Sequence, residues 1–431
     1  MNIALLTNTF TPHVGGVARS VEAFAKAYRE LGHRVLVVAP EFEDAPEYET
    51  DVFRIPAIQH FNGSDFSVVL PVPSGLSDKM EEFSPDIIHS QHPFLLGMTA
   101  VRIARTLDLP LVFTHHTLYE QYTHYVPGDS PAMKRFIIEL STRYANLADQ
   151  VFAPSESIRD ILIARGVTSP VLVVPTGVNV ERFAYGKGSD FLMKKRIPED
   201  AFVVGHMGRL APEKNLEFLA RSVVAFMKEH GQAVFLLVGA GPSQEAIARI
   251  FAEAGMSGRL CMCGVLEKDD LADALNAMSV FAFASKSETQ GMVLTEAMAA
   301  GLPVVALDAP GVREVVVDAG NGRLIREETQ QAFAAALRWV YARSRDEMDI
   351  LIAAARATAE AFSMAASAPK ALAAYENLRP DPAIRQHEDE LGWDQIRGRI
   401  KAEWDILKTL AQSGDEALSE SFFTPDKEMK R

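Results

Sequence analysis

FVVGHMGRLAPEKNLEFL, residues 202–219, decides how the chain folds. An apolar run, Phe202–His206, ends in a glycine- and arginine-bearing loop, and Pro212 opens a helical pattern that continues over Glu213–Lys228. Proline suits the first position of a helix, where its missing N–H would be unpaired anyway. A short apolar strand, a loop and an amphipathic helix make half of a βαβ unit. The pattern then repeats, with strands predicted at Val234–Val238, Leu260–Cys263, Val280–Ala284 and Pro303–Leu307. Helices predicted at Ser243–Ala254, Lys268–Met278 and Thr295–Ala300 lie between them. Upstream, a turn-rich passage through Pro175, Gly177, Gly186, Gly188 and Pro198 separates this series from an earlier one. The earlier series has strands at Ile3–Leu6, Val35–Ala39, Ile87–His89, Leu111–Thr114, Val151–Ala153 and Val171–Val174, alternating with helices such as Val17–Leu31, Leu95–Leu107, Lys134–Leu147 and Glu156–Arg165. Buried strands alternating with helices predict a parallel sheet covered on both faces. Two such series predict an α/β protein of two Rossmann-like domains facing each other across a cleft.

From about Glu327 the pattern is helical, over Thr329–Val340, Glu347–Ala359 and Ala366–Leu378. Arg379-Pro380-Asp381-Pro382 breaks it. Beyond, Gln386–Leu410 reads as one amphipathic helix carrying Trp393, Ile396, Ile400, Trp404 and Leu407, and Ser413–Arg431 is polar.

Composition narrows the function. The 431 residues are 48% hydrophobic and 23% charged, ordinary values for a globular protein. Lys and Arg number 43 against 57 Asp and Glu, a net charge of −14 that argues against nucleic-acid partners. No run of about 18 apolar residues predicts a membrane span, and Met1–Thr7 lacks the basic start of a secretory leader. The expected location is the cytoplasm, with attachment to a membrane surface left open. Cys261 and Cys263, two residues apart in an apolar run, point the same way on a strand and read as two small core or half-buried side chains, the alternative being a metal or redox pair.

Four stretches carry candidate chemistry. Gly15-Gly16 lies between the first strand and first helix, where a backbone can approach a phosphate and the helix N-terminus favours negative charge. Arg209 and Lys214 bracket the loop quoted above, at the carboxyl end of a strand, where open α/β sheets bind ligands. Together they can clamp a diphosphate, or Glu213 can simply pair one of them. Glu288 falls in a polar strand-end loop and Glu296 eight residues on in a helix, ahead of Gly301-Leu302-Pro303. His115-His116 follows the strand Leu111–Phe113, with Tyr119, Tyr122 and Tyr125 close behind. A histidine there can hydrogen-bond a hydroxyl without burying a charge. The three rings either pack the segment down or form an acceptor wall.

These motifs together resemble the retaining glycosyltransferases of family 4, which have the GT-B fold, over roughly residues 1–378. The resemblance rests on Gly15-Gly16, on Gly-Arg209…Glu-Lys214-Asn, and on Glu288 and Glu296 followed by Ala-Met-Ala-Ala-Gly-Leu-Pro-Val-Val. It implies a first domain over 1–178 completed by a crossing helix at 363–378, a nucleotide-sugar domain over 179–362, and a helical extension over 379–431. It implies that Arg209 and Lys214 grip the donor diphosphate beside Gly15 and Gly16 and that Glu296 hydrogen-bonds the ribose. Glu288 and the backbone of Gln290, Gly291 and Met292 would then hold the sugar, and His116 would sit near its reacting carbon. No Asp-x-Asp triplet occurs, so no metal cofactor is expected, cationic side chains and helix dipoles serving instead. A finer resemblance, through His116–Tyr125 and Ser287–Gly291, is to bacterial enzymes that glucosylate diacylglycerol. The expected donor is then UDP-glucose and the acceptor a lipid, held by Tyr119, Tyr122 and Tyr125; the alternative is mannosyl or N-acetylglucosaminyl transfer to a saccharide. Residues 1–184 carry 14 basic and 21 acidic side chains, so strong attraction to anionic lipid is not expected.

Overall fold

A computed structural model of the protein describes residues 1–13, 15–42, 44–46, 49–58, 68–69, 75–121, 130–266, 268–379, 403, 405–406, 408–410 and 412–413. The chain divides into two compact units, Met1–Val174 with Ala368–Arg431, and Pro175–Ser367. Sequence alone put the corresponding boundaries at 178/179 and 362/363.

The first unit is built on a seven-stranded parallel sheet. Its strands are β1 (Asn2–Leu6), β2 (Arg34–Pro40), β3 (Val52–Ile55), β4 (Ile87–Ser90), β5 (Leu111–Thr114), β6 (Gln150–Ala153) and β7 (Val171–Val173), in the order β3-β2-β1-β4-β5-β6-β7. The second unit repeats the plan with six parallel strands: β8 (Phe202–Met207), β9 (Ala233–Val238), β10 (Leu260–Met262), β11 (Val280–Phe283), β12 (Val304–Leu307) and β13 (Gly322–Ile325). Their order is β10-β9-β8-β11-β12-β13. In each sheet the order reverses beside the first strand, the doubly wound Rossmann arrangement.

Both faces of the second sheet are buried, and the period-two alternation of a strand divides its side chains between two cores. Val203, Leu236, Phe281 and Val304 enter one, and Val204, Phe235, Val280 and Val305 enter the other. The sequence missed β3 and β13. Both are edge strands, and both carry an arginine, Arg54 and Arg323, that interrupts the apolar run.

Helix starts follow local chemistry. Ser130, Ser155 and Thr329 each accept a hydrogen bond from a backbone N–H of the first turn, and Ser344 with Glu347 forms a reciprocal capping box. One start differs from expectation. Pro212–Lys214 is a short 3-10 turn, and the helix runs Leu216–Met227. Asn215 between them is left-handed, with φ 56°, a conformation asparagine tolerates better than most residues.

The first unit is closed by the helix Met364–Leu378, through a buried chain of hydrogen bonds from its Tyr375. The Tyr375 hydroxyl lies 2.6 Å from His89 Nδ1 and 3.1 Å from the Tyr28 hydroxyl, while His89 Nε2 meets Thr114 Oγ1 at 2.7 Å. Trp393, Ile396, Ile400, Trp404 and Leu407 lie outside the described residues. Of the same stretch, Ile406 is buried in the first unit's core and Glu403 pairs with Arg102.

Burial lowers the pKa of three histidines of this unit, His89 and His92 to about 3 and His115 to about 4. A folded value below the unfolded one means that the native state binds fewer protons, so stability is full above about 6.5 and falls as pH drops. Each histidine should cost the first unit about 1 kcal/mol between pH 7 and 5.5. Denaturant titrations at the two pH values should show this loss, and His115→Phe should remove its share; equal midpoints would contradict neutral burial.

Candidate active site

In doubly wound sheets the gap at the strand-order reversal, beyond the carboxyl ends of the strands, is where ligands bind. In the second unit this is the end of β8 and β11. The loop after β8 presents Arg209 and Lys214, and the loop after β11 presents Glu288. Lys214 Nζ stands 2.5 Å from Glu288 Oε1, with both side chains largely shielded from solvent. The left-handed Asn215 turns the chain immediately after Lys214, and its amide donates to Glu328 at 2.8 Å. Lys286 closes on the same carboxylate at 2.5 Å. Arg209 is half exposed and pairs with the buried Glu213 carboxylate at 2.5 Å. One small area therefore gathers three cations and three carboxylates, an arrangement able to hold both an anion and hydroxyl groups.

Gly291 caps the following helix, Met292–Ala299. Its φ is +73°, and an added Cβ would lie 2.9 Å from Leu294 Cδ1, so glycine is required there. Glu296 lies in this helix with its carboxylate buried. Gln290 faces away from any ligand role for its side chain. Its amide Nε2 donates to the Thr176 carbonyl at 2.6 Å and its Oε1 accepts from the Thr176 N–H at 2.7 Å. With its side chain engaged, Gln290 offers only its backbone, as expected, alongside that of Gly291 and Met292. Beneath the loops, His206 of β8 places Nδ1 2.9 Å from the Ala282 carbonyl, and burial lowers its pKa to about 4.

In the first unit the corresponding gap lies at the ends of β1 and β4. Asn8 follows β1, and its side chain accepts from Leu96 N–H at 3.0 Å and donates to the Phe94 carbonyl. Gly15 is extended (φ −161°, ψ 160°) and Gly16 starts the helix Gly16–Glu30. Neither has a positive φ, and a Cβ on Gly16 would meet nothing within 4 Å. Backbone conformation therefore does not require this glycine pair; a Cβ on Gly15 would crowd the His13 ring at 3.2 Å, and Gly16 leaves the helix N-terminus uncovered by a side chain.

His116 follows β5, and its Nε2 lies 2.7 Å from Gln91 Oε1. With an amide oxygen as partner, Nε2 carries the hydrogen and donates. Burial, reinforced by the neighbouring His92, His89 and His115, holds its pKa well below the usual histidine value. His116 is thus a neutral hydrogen-bonding group at physiological pH. Tyr119 packs edge-on against Phe94 and His115 with its hydroxyl buried, while the residue as a whole is half-buried. Burial also raises its pKa. Tyr122 and Tyr125 lie outside the described residues. Sequence reading missed Gln91 and Asn8; the run His89-Ser90-Gln91-His92 at the end of β4 was the signal available.

The fold and these strand-end groups define a glycosyltransferase, and the comparisons agree. Residues 14–182 match the model of Glycosyltransferase Family 4, and residues 189–358 that of Glycosyl transferases group 1. The GDP-mannose-dependent alpha-mannosyltransferase of Mycobacterium tuberculosis is 30% identical over 75% of this chain and 84% of its own length. The alpha-monoglucosyldiacylglycerol synthase of Streptococcus pneumoniae is 28% identical over 78% and 77%. Anabaena HepE, crystallised with UDP, has the same fold at a TM-score of 0.70 and 22% identity, covering 88% of this chain and all of its own. The chain belongs to glycosyltransferase family 4 and has the GT-B class of fold, two Rossmann-like α/β domains.

The Gln290 clamp is testable by stability. Gln290→Ala removes both hydrogen bonds of the clamp from a buried position, at about 1–3 kcal/mol each. The melting temperature should fall by roughly 5–15 °C; an unchanged value would show that the clamp contributes nothing.

Proposed function

We propose that the protein transfers glucose from UDP-glucose to a hydroxyl of diacylglycerol or a related lipid, with retention of configuration. The observation that carries the transferase part is the Lys214–Glu288 pair at the carboxyl ends of β8 and β11. Lys214, with Arg209, meets the diphosphate, and Glu288 turns to the sugar hydroxyls once an anion takes its place beside Lys214. Glu296 takes the ribose, and the backbone at Gln290, Gly291 and Met292 completes the donor contacts. Gly15 and Gly16 of the first unit offer N–H groups suited to a phosphate. Stabilising charge as it develops on a leaving diphosphate is the largest single contribution such a site can make. His116, neutral and oriented by Gln91, hydrogen-bonds the transferred sugar; its lowered pKa suits it to orient a hydroxyl and not to serve as a cationic acid.

No carboxylate is assigned as a nucleophile. The acceptor oxygen bonds the anomeric carbon on the face that the phosphate leaves, the carbon–phosphate oxygen bond breaks, and the acceptor's proton passes to the departing phosphate. This reading uses no metal. Glucose and diacylglycerol are favoured because two relatives, from Streptococcus pneumoniae and Acholeplasma laidlawii, bear the name alpha-monoglucosyldiacylglycerol synthase at 28% and 27% identity. The acceptor is assigned to the first unit, near the chain from Tyr119 to Tyr125. No helix of the described residues is long and apolar enough to cross a membrane. The reading has a cytoplasmic enzyme meeting its lipid peripherally. A second reading is mannosyl transfer, favoured by relatives named GDP-mannose-dependent alpha-mannosyltransferase at 30% and 31% identity.

Release of nucleotide from UDP-glucose, GDP-mannose and UDP-N-acetylglucosamine, each offered with diacylglycerol in micelles or with soluble saccharides, tests both readings. UDP release with diacylglycerol is expected; GDP release with a saccharide would favour the second, and no release with any pair would end both. Lys214→Ala should lower kcat/KM by about 2–4 kcal/mol of transition-state stabilisation. An unaltered kcat/KM would reduce Lys214 to a structural partner of Glu288. Activity should persist in EDTA, and its loss with recovery on adding Mg²⁺ would overturn the metal-free assignment.

A further inference from the structure

The second unit's edge strand, β10, ends in a feature outside the site above. Cys261 and Cys263 lie on one face, and their sulfurs approach to 3.8 Å. Same-face neighbours on a strand are spaced by roughly 6.6 Å along the chain, so both side chains turn toward each other. The two thiols are half-buried, packed at the margin of the core, and the Lys195 ammonium lies close to both. The hydrogen bond from Cys263, with Lys195 behind it, brings the Cys261 thiol down to about 7, and the same bond pushes the Cys263 thiol up.

A disulfide does not suit this spacing. It needs Cβ atoms about 3.5–4.5 Å apart and Cα atoms within about 6.8 Å, and two positions on an extended strand sit at that limit. Closing it would pull on a strand whose Leu260, Cys261 and Met262 are in register with Phe235, Leu236 and Leu237 of β9. A larger atom between the sulfurs, joined to each by a longer bond than S–S, asks for a smaller movement from 3.8 Å. Among the described residues no group of three or more His, Cys, Asp or Glu could hold a metal ion, so a four-coordinate structural zinc does not fit. Thiolates select soft ions, and two of them satisfy a soft centre of low coordination number.

We propose that Cys261 and Cys263 form a two-thiolate site for one soft, thiophilic centre, of the class of Cu(I) or a trivalent arsenical. Both S–H bonds break, two bonds from sulfur to the bound centre form, and the protons leave to solvent or, for an arsenical, as water with its displaced oxygens. No oxidation or reduction takes place. The Lys195 ammonium favours the Cys261 thiolate, while the Cys263 thiol, held up by its hydrogen bond to Cys261 and by burial, gives up its proton as its own bond to the centre forms.

The test uses the full chain, reduced and then freed of reductant. One equivalent of phenylarsine oxide should give a single adduct by intact mass, abolish both thiols in a dithionitrobenzoate count, and survive dialysis. Cys261→Ser and Cys263→Ser should each reduce the retained adduct at least tenfold. In a second arm, Cu(I) should be retained at one per chain by the wild type and not by either variant. A third measurement needs no variant: the bound arsenical should protect both cysteines from iodoacetamide. Equal retention by single-serine variants, protection of only one cysteine, or a loss of two hydrogens in place of an adduct would overturn the proposal.

Discussion

Parallel pairing forces every strand of each sheet to end on the same edge, and the reversal of strand order beside β1 and β8 opens a gap on that edge. The rest of the site depends on this constraint. Residues far apart in sequence reach one place only because their strands stop side by side. Lys214 and Glu288, 74 positions apart, meet since β8 and β11 are adjacent. Gln91 and His116 meet by the same logic at the ends of β4 and β5. The helices supply N–H groups at the same edge, beginning at Gly16 and Met292.

The two gaps differ in chemistry. That of the second unit is ionic, with carboxylates and cations paired to one another, which suits a charged diphosphate and a polyhydroxylated sugar. That of the first unit is neutral: its histidines are buried and held unprotonated, and its polar groups are engaged in hydrogen bonds. A neutral lining favours orientation of hydroxyl groups over attraction of charge. The pairing inside the ionic gap also has a cost, since a ligand must exchange with an existing partner before it gains a new one.

How much of this was legible follows from what each residue contacts. Strand cores such as Phe202–His206 and Leu111–Thr114 declare themselves by apolar runs, so both sheets and the loops bearing Arg209, Lys214, Glu288 and His116 could be located. β3 and β13 could not, because Arg54 and Arg323 break their runs at sheet edges. The roles of Gln290 and Gln91 were hidden for another reason. A glutamine's partner is set by tertiary placement: Thr176 lies 114 positions from Gln290, and nothing in local periodicity links them. Tyr119 was ambiguous because an amphipathic ring suits both a wall and a core, and its contacts with Phe94 and His115 come from tertiary placement that local spacing does not show.

The hydrogen-bond chain through Tyr375 bears on how the protein is made. The second unit is continuous in sequence, whereas the first takes its closing helix from beyond residue 367. At synthesis rates of about 5–20 residues per second, roughly 10–40 s separate the appearance of Val174 from that of Tyr375. Throughout that interval Tyr28 and His89 lack the hydroxyl that joins them, and Phe152 of β6 lacks the ring that stacks on it. The nascent first unit is therefore an unfinished body awaiting its last helix while its younger neighbour can already close. Ribosome-associated chaperones would find their binding surface on the older half of the chain.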